Sequence, residues 1–458
     1  MAEFAELRER LVDELRDSKA LRDDRVADAM LAVPRHVFLP DVEPKRAYVD
    51  DAVVTKSDAD GLAISSSSQP AIMTIMLEQL GVAPGHRVLE IGAGTGYNAA
   101  LLAHLAGVSG SVTTVDVDDD IVSAAREHLA ACGYGRVSVV HGDGGLGWLP
   151  GAPYDRIIAT VGAWDILPAW LDQLSPGGLL VLPLAIRPAM QYSIAFERVA
   201  DHLESRSLRP CGFMRLRGAF AGPETLMPIG EGRDLFAETG PRPPGGERLG
   251  ELLGPPGERL DRGITVTLSE LWGGLGLWLA SHEPGLGRLS GRGVRSLAGP
   301  ASSIVVGGRM GALMLVSAHG CAIATRPDDP GETTEEAAGE KAADPAAAAK
   351  LEARLRKPFE LAAWPFGRDG AGLAARLARH AQDWAAAGRP SPSDLTVTAY
   401  PAEMGGVTGT ARTVGTGGTA GATMTSGQRY AVINKQYTRL LLTWRDSTRS
   451  AGETSGCG

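Results

Sequence analysis

The amino-acid sequence predicts an α/β protein with a doubly wound, mostly parallel sheet in its first half and an α+β extension in its second half. Two observations support this class. Between about residues 85 and 185, compact apolar runs alternate with stretches at helical spacing, which is the rhythm of βαβ units. After about residue 200 this alternation weakens, and short strand-like runs lie between Gly and Pro turns.

The elements of the first half follow from hydrophobic spacing. Apolar residues recur at helical spacing over residues 3–33, which predicts two short helices that end before VPRHVFLP. Five apolar runs then predict strands: HRVLEIGAG, GSVTTVDVD, RVSVVHGDG, YDRIIATVG and GGLLVLPL. Helical stretches such as NAALLAHLAG and DDIVSAAREHLAACG separate them, so we expect helices on both faces of a parallel sheet.

The second half divides by composition. Residues 206–325 contain the strand-like runs GITVTL, LGLWLAS, SIVVGG and GALMLVSA. Residues 326–349 are acidic and rich in Ala and Pro, which predicts a flexible linker. Within residues 350–458, LEARLRKPFELAAWPFGRDGAGLAARLARHAQDWAAAG predicts a helix, and DLTVTAYP and QRYAVINKQYTRLLLTWR predict strands on either side of a flexible loop. The remaining unit, residues 1–205, is the predicted catalytic domain.

Composition and charge disfavour several functional classes. The 458-residue chain is 44% hydrophobic and carries a formal net charge of −9, which argues against a general binder of nucleic acid or anionic membranes. Its four cysteines are scattered without a CxxC pair, so we expect no metal site and no disulfide framework, and a cytoplasmic location. No apolar run reaches the ~20 residues of a membrane span.

A glycine-rich turn connects a predicted strand to a predicted helix in VLEIGAGTGYN. Gly92, Gly94 and Gly96 allow a tight turn and a close approach of the backbone to a ligand. Such a motif alone is a weak signal, because many α/β turns are rich in glycine and bind nothing. The residues around the motif determine which ligand it predicts.

Three acidic residues lie near the ends of neighbouring predicted strands. Glu90 precedes the glycine turn, Asp116 ends the next strand and Asp143 lies in HGDG after the third. Ligands of open α/β sheets bind outside the carboxyl ends of the strands, so these carboxylates converge on one crevice. They would repel a pyrophosphate but suit a cationic nucleoside such as a sulfonium. This favours S-adenosylmethionine over a dinucleotide or an empty turn; for Asp143, a turn-capping role is the alternative.

A serine tract, SSSSQP, precedes the apolar helical run AIMTI. Serine tracts are usually solvated linkers, but this one lies between two segments that both look folded. Ser68 is placed to act as a helix N-cap with Pro70 in the first turn. A role in an active site is compatible with that capping role.

Together these motifs resemble the protein-L-isoaspartate O-methyltransferase family. VPRHVFLP, SSSSQP, VLEIGAGTGYNAALLAHLAG, HGDG and GGLLVLPL occur in the order seen in that family, over about residues 5–200. The resemblance implies a Rossmann-like, S-adenosylmethionine-dependent methyltransferase that esterifies the carboxylate of Asp or isoAsp in a peptide or protein.

The resemblance also implies roles for individual residues. Ser68 matches the active-site serine, Asp116 would bind the ribose of the cofactor and Asp143 its adenine. The expected cofactor-binding residues are Glu90, Gly92, Ala93, Gly94, Thr95, Gly96, Asp116, Val117, Gly142, Asp143 and Gly144. The expected substrate-binding residues are Ser66, Ser67, Gln69, Val161 and Trp164.

The chain departs from the common pattern of the family in two places. TVGAWDILPAW replaces a Pro-containing loop of small residues, and the chain continues to residue 458. Both features resemble an actinobacterial branch associated with ribosomally made peptides, lanthipeptides in particular. This implies tailoring of a cyclised precursor through aspartimide and isoAsp. Residues 350–458 would help to bind the peptide, for example at a strand edge within residues 395–445.

Other interpretations stay open. Trp164, Asp165 and Trp170 in the divergent loop either contact a peptide or only pack. General repair of isoaspartyl damage would use the same glycine turn. A non-catalytic peptide-binding module is a further alternative, although the intact glycine turn and serine tract speak against it. A small-molecule carboxyl methyltransferase is disfavoured by the size of the extension.

Overall fold

The structure is a computed structural model of the 458-residue chain. It describes residues 2–59, 63–188, 190–229, 235–240, 248–291, 294–296, 305–307, 311–325, 356–402, 422–425 and 428–445. The predicted linker at 326–349 and most of the predicted loop before residue 428 lie outside these ranges.

Ten α-helices are found in the described ranges. They are α1 (Ala2–Asp17), α2 (Asp24–Ala32), α3 (Pro44–Ala47), α4 (Pro70–Leu80), α5 (Tyr97–Ala106), α6 (Asp119–Ala131), α7 (Pro168–Gln173), α8 (Leu249–Leu252), α9 (Gly276–His282) and α10 (Gly370–Ala386). Short 3-10 turns lie at Arg35–Phe38, Gly144–Leu146, Leu149–Gly151 and Pro392–Asp394, and a π-helical turn at Glu270–Leu275. No described helix is long and apolar enough to cross a bilayer.

The strands of the first half are β1 (Val53–Ser57), β2 (Ala63–Ser67), β3 (Arg87–Ile91), β4 (Ser111–Asp116), β5 (Ser138–His141), β6 (Tyr154–Ala159), β7 (Leu174–Arg187), β8 (Met190–Val199) and β9 (His202–Cys211). Those of the second half are β10 (Thr225–Ile229), β11 (Leu235–Thr239), β12 (Leu260–Val266), β13 (Leu286–Gly291), β14 (Val294–Ser296), β15 (Val305–Gly307), β16 (Ala312–Val316), β17 (Gly320–Thr325), β18 (Phe359–Gly367), β19 (Leu395–Pro401), β20 (Ala422–Thr425), β21 (Gln428–Asn434) and β22 (Thr438–Trp444).

The central sheet of the described chain has eleven strands in the order β20-β21-β22-β19-β9-β8-β7-β6-β3-β4-β5. The five strands from β7 to β5 are parallel to one another, whereas β8 and β9 return antiparallel. The five predicted strands and the Rossmann-like fold class are therefore confirmed. Because β3 lies between β4 and β6, the strand order reverses next to the glycine turn, which is where open α/β sheets bind ligands.

The second half joins this sheet instead of forming a separate layer. β19 pairs with β9 through Thr398 with Glu204 and Ala399 with Leu203, so the predicted boundary after residue 205 falls inside a strand. A seven-stranded antiparallel sheet, β10-β11-β13-β16-β17-β18-β12, makes up most of the remainder of the described extension. One apolar cluster runs through both halves, from Leu89 in β3 to Trp444 in β22.

Two segments of the extension have the opposite secondary structure to the predicted one. LGLWLAS, predicted as a strand, forms α9, and Phe359–Gly367, predicted as helix, forms β18 between β17 and β12. Both segments are buried on nearly all sides. Under those conditions the apolar run is continuous, and neither helical nor strand periodicity is visible in the sequence.

Among the described residues, the sheet edge within residues 395–445 is β20 (Ala422–Thr425). β19, β21 and β22 each have a neighbour on both sides, so the sheet ends at β20. Peptide addition at the β20 edge remains a prediction, whereas β22 lies between two strands of the sheet.

The fold predicts unequal effects of two leucine substitutions in β22. Leu442 is fully buried, and Leu442→Ala should lower the free energy of unfolding by about 2–5 kcal/mol, because it opens a cavity in the shared core. The neighbouring Leu441 is partly exposed and provides the matched control. Leu441→Ala should cost clearly less. Urea denaturation measures both, and equal losses would show that β22 does not pack as described.

Candidate active site

A cavity of about 490 Å³ lies at the carboxyl ends of β3, β4 and β6. Three segments line most of it: the serine strand and following turn at 63–69, the glycine turn at 90–95, and a segment at 210–217 after β9. These segments are distant in sequence, and the sheet brings their ends together. Most of the predicted site residues therefore share one cavity.

Thirteen of the predicted site residues line the cavity, and four do not. Those that line the cavity are Ser66, Ser67, Ser68, Gln69, Glu90, Gly92, Ala93, Gly94, Thr95, Asp116, Val117, Gly144 and Val161. Those outside its lining are Gly96, Gly142, Asp143 and Trp164. Gly96 instead packs against α6, where a Cβ atom would lie 3.2 Å from the carbonyl oxygen of Ala125.

Two glycines of the turn meet a steric requirement. A Cβ atom on Gly92, whose φ is +99°, would lie 2.7 Å from Oγ1 of Thr160, so no larger residue fits. Gly94 has a φ of +50°, and its Cβ would lie 3.6 Å from the carbonyl oxygen of Ser66. The glycine turn thus lies directly against the serine strand.

The two carboxylates of the cavity differ in their hydrogen bonding. Asp116 accepts hydrogen bonds from the backbone N–H of Gly94 at 3.2 Å and of Asp118 at 3.3 Å. Glu90 is fully buried; its Oε1 accepts from Nδ2 of Asn98 at 2.7 Å, and the side chain of Thr114 is a second polar partner of the carboxyl group. Burial raises the pKa of Glu90 to about 7. Burial outweighs these two polar contacts, so Glu90 is a desolvated acid that lines the cavity.

Asp143 has a structural role in addition to any ligand contact. Its side chain accepts from the backbone N–H of Gly145 at 2.9 Å and from that of Ala219 at 2.8 Å. It caps the 3-10 turn that follows β5 and ties it to the segment after β9. This is the turn-capping alternative, and the adenine contact remains a prediction.

The predicted N-cap role of Ser68 is wrong. Gln69 is the N-cap of α4, and its side chain makes no capping hydrogen bond. Asp50 acts instead, because its carboxylate accepts from the backbone N–H of Ala71 at 2.8 Å and from the Gln69 amide at 3.0 Å. The Ser68 side chain is therefore not required for capping.

Arg35 was not predicted as a site residue, yet it fixes the serine turn. It is fully buried, and it donates to the carbonyl oxygens of Ser68 and Ala47, both at 2.9 Å. Its guanidinium also lies 5.1 Å from the ring centroid of Tyr97. The sequence signal for this role is a single Arg within the largely apolar motif VPRHVFLP.

The segment 210–217 was also missed. It pairs with the loop after β6, since Gly162 N donates to Met214 O at 2.6 Å and Leu216 N donates to Gly162 O at 2.8 Å. Arg217 binds Asp118 at 2.8 Å, and Lys56 binds the same carboxylate at 3.1 Å. Hydrogen bonding from Arg217 is the main reason that the pKa of Asp118 is lowered. This segment lines the cavity, and the ion pair between Arg217 and Asp118 anchors its end.

Trp170 and Trp164 in the divergent loop behave differently. Trp170 is fully buried and donates from Nε1 to Gly144 O at 2.9 Å, so it packs. Trp164 faces Lys435 of the extension, whose Nζ lies 4.2 Å from its ring centroid.

Comparison with known proteins identifies the first half. The family described as Protein-L-isoaspartate(D-aspartate) O-methyltransferase (PCMT) matches residues 6–219. A protein-L-isoaspartate O-methyltransferase of Methanopyrus kandleri is 41% identical over 225 residues, which cover 48% of this chain and 97% of that relative. The chain belongs to the protein-L-isoaspartate O-methyltransferase family. Like its family, it is an S-adenosylmethionine-dependent methyltransferase.

Two further matches cover a similar share of this chain. The Hyperthermus butylicus protein-L-isoaspartate O-methyltransferase is 37% identical over 229 residues, covering 48% of this chain and 92% of that relative. A crystal structure of a putative family member from Plasmodium falciparum in complex with S-adenosyl-L-homocysteine has 19% identity and a TM-score of 0.41, with 46% of this chain and 98% of that chain covered.

The cavity of this family member suits S-adenosylmethionine. The acidic side chains of Glu90 and Asp116 both line the cavity and provide acceptors for a cationic nucleoside. The positive φ of Gly92 and Gly94 keeps side chains out of the turn, so the backbone can approach a ligand closely. The acidic floor would repel a pyrophosphate, which agrees with the preference derived from sequence.

The buried carboxyl of Glu90 predicts a pH-dependent stability of the cofactor-free protein. Its pKa is higher in the folded state than in the unfolded state, so the folded state holds an extra proton between about pH 4.5 and 7. Stability should fall as pH rises through that window. Glu90→Gln removes the free-energy cost of ionising a buried carboxyl. It should stabilise the protein by up to about 3 kcal/mol at pH 8 but little at pH 5.

Urea denaturation at the two pH values measures this difference. Glu127→Gln is the matched control, since Glu127 lies exposed on α6. A stabilisation by Glu90→Gln that is equal at pH 5 and pH 8 would contradict the burial argument.

Proposed function

We propose that this chain transfers the methyl group of S-adenosylmethionine to a carboxylate of an Asp or isoAsp residue in a peptide or protein. One observation carries the proposal: the serine strand and the glycine turn form a common wall. The carbonyl oxygen of Ser66 lies 3.6 Å from where a Cβ of Gly94 would be, and residues 65–69 and 90–95 line one cavity. A methyl donor on the glycine turn and an acceptor beside Ser68 would therefore be neighbours.

This reaction needs little acid–base chemistry. A carboxylate is ionised near neutral pH and is already a nucleophile. The sulfonium of the bound cofactor supplies an activated methyl group, so the S–C bond breaks as the O–C bond forms, without proton transfer. What the protein contributes is alignment of the reactants and exclusion of water.

Ser68 would orient the acceptor. Its turn is fixed from below by Arg35, which donates to the Ser68 carbonyl oxygen. The Ser68 hydroxyl would then donate to one oxygen of the acceptor carboxylate while the other oxygen attacks. The segment at 210–217 lines the cavity and would keep water out.

The methyl ester prepares a second, spontaneous step. Esterification makes the carbonyl of the free carboxyl group, the β-carboxyl of Asp or the α-carboxyl of isoAsp, more electrophilic. The backbone nitrogen of the next residue attacks it, with loss of methanol, to close a succinimide. Hydrolysis of the ring gives Asp and isoAsp. Starting from isoAsp, this sequence amounts to repair; starting from Asp, it introduces isoAsp.

Repair of isoaspartyl residues is supported by the extent of the family match. All residues that line the cavity lie between 52 and 217, within the matched residues 6–219. The relatives are named for L-isoaspartyl substrates in proteins. The transfer site is thus built from the part of the chain that resembles them.

Tailoring of a constrained peptide is the second candidate, and a different observation favours it. The loop after β6, which lines the cavity at Val161, is held from behind by residues 435–438 of the extension. The acceptor side therefore depends on residues outside the family match. A lanthipeptide-type precursor and a peptide-binding role of residues 350–458 fit this arrangement. An idle binding module would not require the glycine turn and Ser68 to share a cavity.

Replacing the predicted catalytic residue tests the reaction. Ser68→Ala should slow methyl transfer about 10- to 100-fold through loss of acceptor alignment, while the affinity for S-adenosylhomocysteine stays within about twofold. Ser57→Ala is the control, because Ser57 lies exposed in β1 outside the cavity lining. Isotope-labelled methyl transfer and titration calorimetry provide the two measurements. Loss of cofactor affinity in Ser68→Ala would place Ser68 on the wrong side of the cavity.

The choice between repair and tailoring is tested with two acceptors. A linear isoAsp hexapeptide should be methylated if the chain repairs proteins. A cyclised Asp-containing precursor should be methylated in preference if the chain tailors peptides. Mass spectrometry of the +14 Da product separates the two. Turnover of neither acceptor, in a protein that binds S-adenosylhomocysteine, would contradict both assignments.

A further inference from the structure

The turn between β21 and β22 supports the loop that follows β6. Lys435 Nζ donates to the carbonyl oxygens of Trp164 and Ala185. The same ammonium lies 4.2 Å from the ring centroid of Trp164, which is a cation–π distance. One cation from the extension therefore binds the backbone and the side chain of the same loop residue.

The loop after β6 also binds the turn between β21 and β22 through an acidic residue. Asp165 is 5% exposed, and its Oδ2 accepts the backbone N–H of Tyr437 at 2.7 Å. Its Oδ1 accepts the hydroxyl of Thr438. A cation of the turn thus binds the loop, and an anion of the loop binds the turn. These contacts, one set donated by the turn's cation and the other accepted by the loop's carboxylate, fix the position of the turn relative to the loop.

The other side of this loop faces the reaction. Thr160 and Val161 line the cavity. Thr160 Oγ1 donates to the Gly92 carbonyl oxygen at 2.7 Å, and Gly162 N donates to Met214 O at 2.6 Å. The loop therefore contacts the glycine turn and the segment at 210–217 through Thr160 and Gly162, and it contacts Lys435 through Trp164.

We propose that Lys435 is a positioning residue for methyl transfer: through the Trp164 carbonyl it fixes the wall formed by Thr160 and Val161 against which the acceptor lies. This inference rests on the proposed function, because it concerns the acceptor side of the same cavity. It assigns to the extension a part in the reaction that differs from peptide binding. Lys435 itself does not line the cavity, so it acts through the loop.

The surroundings of Lys435 make its charge sensitive to pH. The charged groups that face it are Asp165 of the loop, Glu224 before β10 and Arg187 at the end of β7. Burial lowers the pKa of Lys435 to about 7, opposed by the two carboxylates and assisted by Arg187. Loss of the proton removes the cation–π contact and weakens the hold on Trp164. Transfer should therefore slow as pH rises through about 7.

Two substitutions at this position provide the test in the full chain. Lys435→Met keeps the apolar length but removes the donors, and it should lower kcat about 10-fold with the affinity for S-adenosylhomocysteine unchanged. Lys435→Arg keeps a permanent charge, so it should recover most of kcat and lose the step near pH 7. The acceptor is whichever of the two peptides the parent methylates.

A milder variant provides the test if Lys435→Met does not fold. Thr438→Val keeps the shape of the side chain but removes the hydroxyl that binds Asp165, and it should lower kcat in the same direction by a smaller factor. Unchanged kcat in Lys435→Met, or in Thr438→Val if the former does not fold, overturns this inference while leaving the proposed function in place. A parent that methylates neither peptide overturns both.

Discussion

The contact between the serine strand and the glycine turn is the constraint on which the site depends. A Cβ on Gly94, whose φ is positive, would lie 3.6 Å from the Ser66 carbonyl oxygen, and Asp116 accepts the Gly94 N–H. Arg35 then holds the Ser68 carbonyl oxygen from the core side. In the proposed reaction, backbone geometry would bring the donor and acceptor sites together, with no acid–base pair required. This suits a reaction in which two charged groups neutralise each other and alignment sets the rate.

The extension changes how this family fold is supported. β19 and β22 continue the central sheet beyond β9, and the core that they bury is shared with the parallel strands. The turn at 435–438 then reaches the loop after β6, next to the cavity. Stability and acceptor geometry are thus linked through one sheet. A peptide acceptor would meet a wall whose inner surface belongs to the family part and whose support belongs to the extension.

Much of the fold and of the cavity was predictable from sequence, because the signals are local. Parallel strands, the glycine turn and the carboxylates at strand ends follow from short-range patterns. The secondary structure of α9 and β18 was not predictable, because both are buried on nearly all sides and show no periodicity. Arg35, Met214 and Lys435 were missed because their roles arise from partners distant in sequence. The N-cap of α4 was misassigned because Asp50 supplies the capping carboxylate from another segment.

Photolabelling of the full chain with methyl-tritiated S-adenosylmethionine tests the central claim most directly. Ultraviolet irradiation followed by proteolysis and sequencing of labelled peptides reports which residues surround the methyl donor. We expect label in peptides that contain residues 65–69, 90–98 or 210–217, and its loss when excess S-adenosylhomocysteine is present. Label confined to residues 248–291 or 356–402, or label that S-adenosylhomocysteine does not displace, would contradict it.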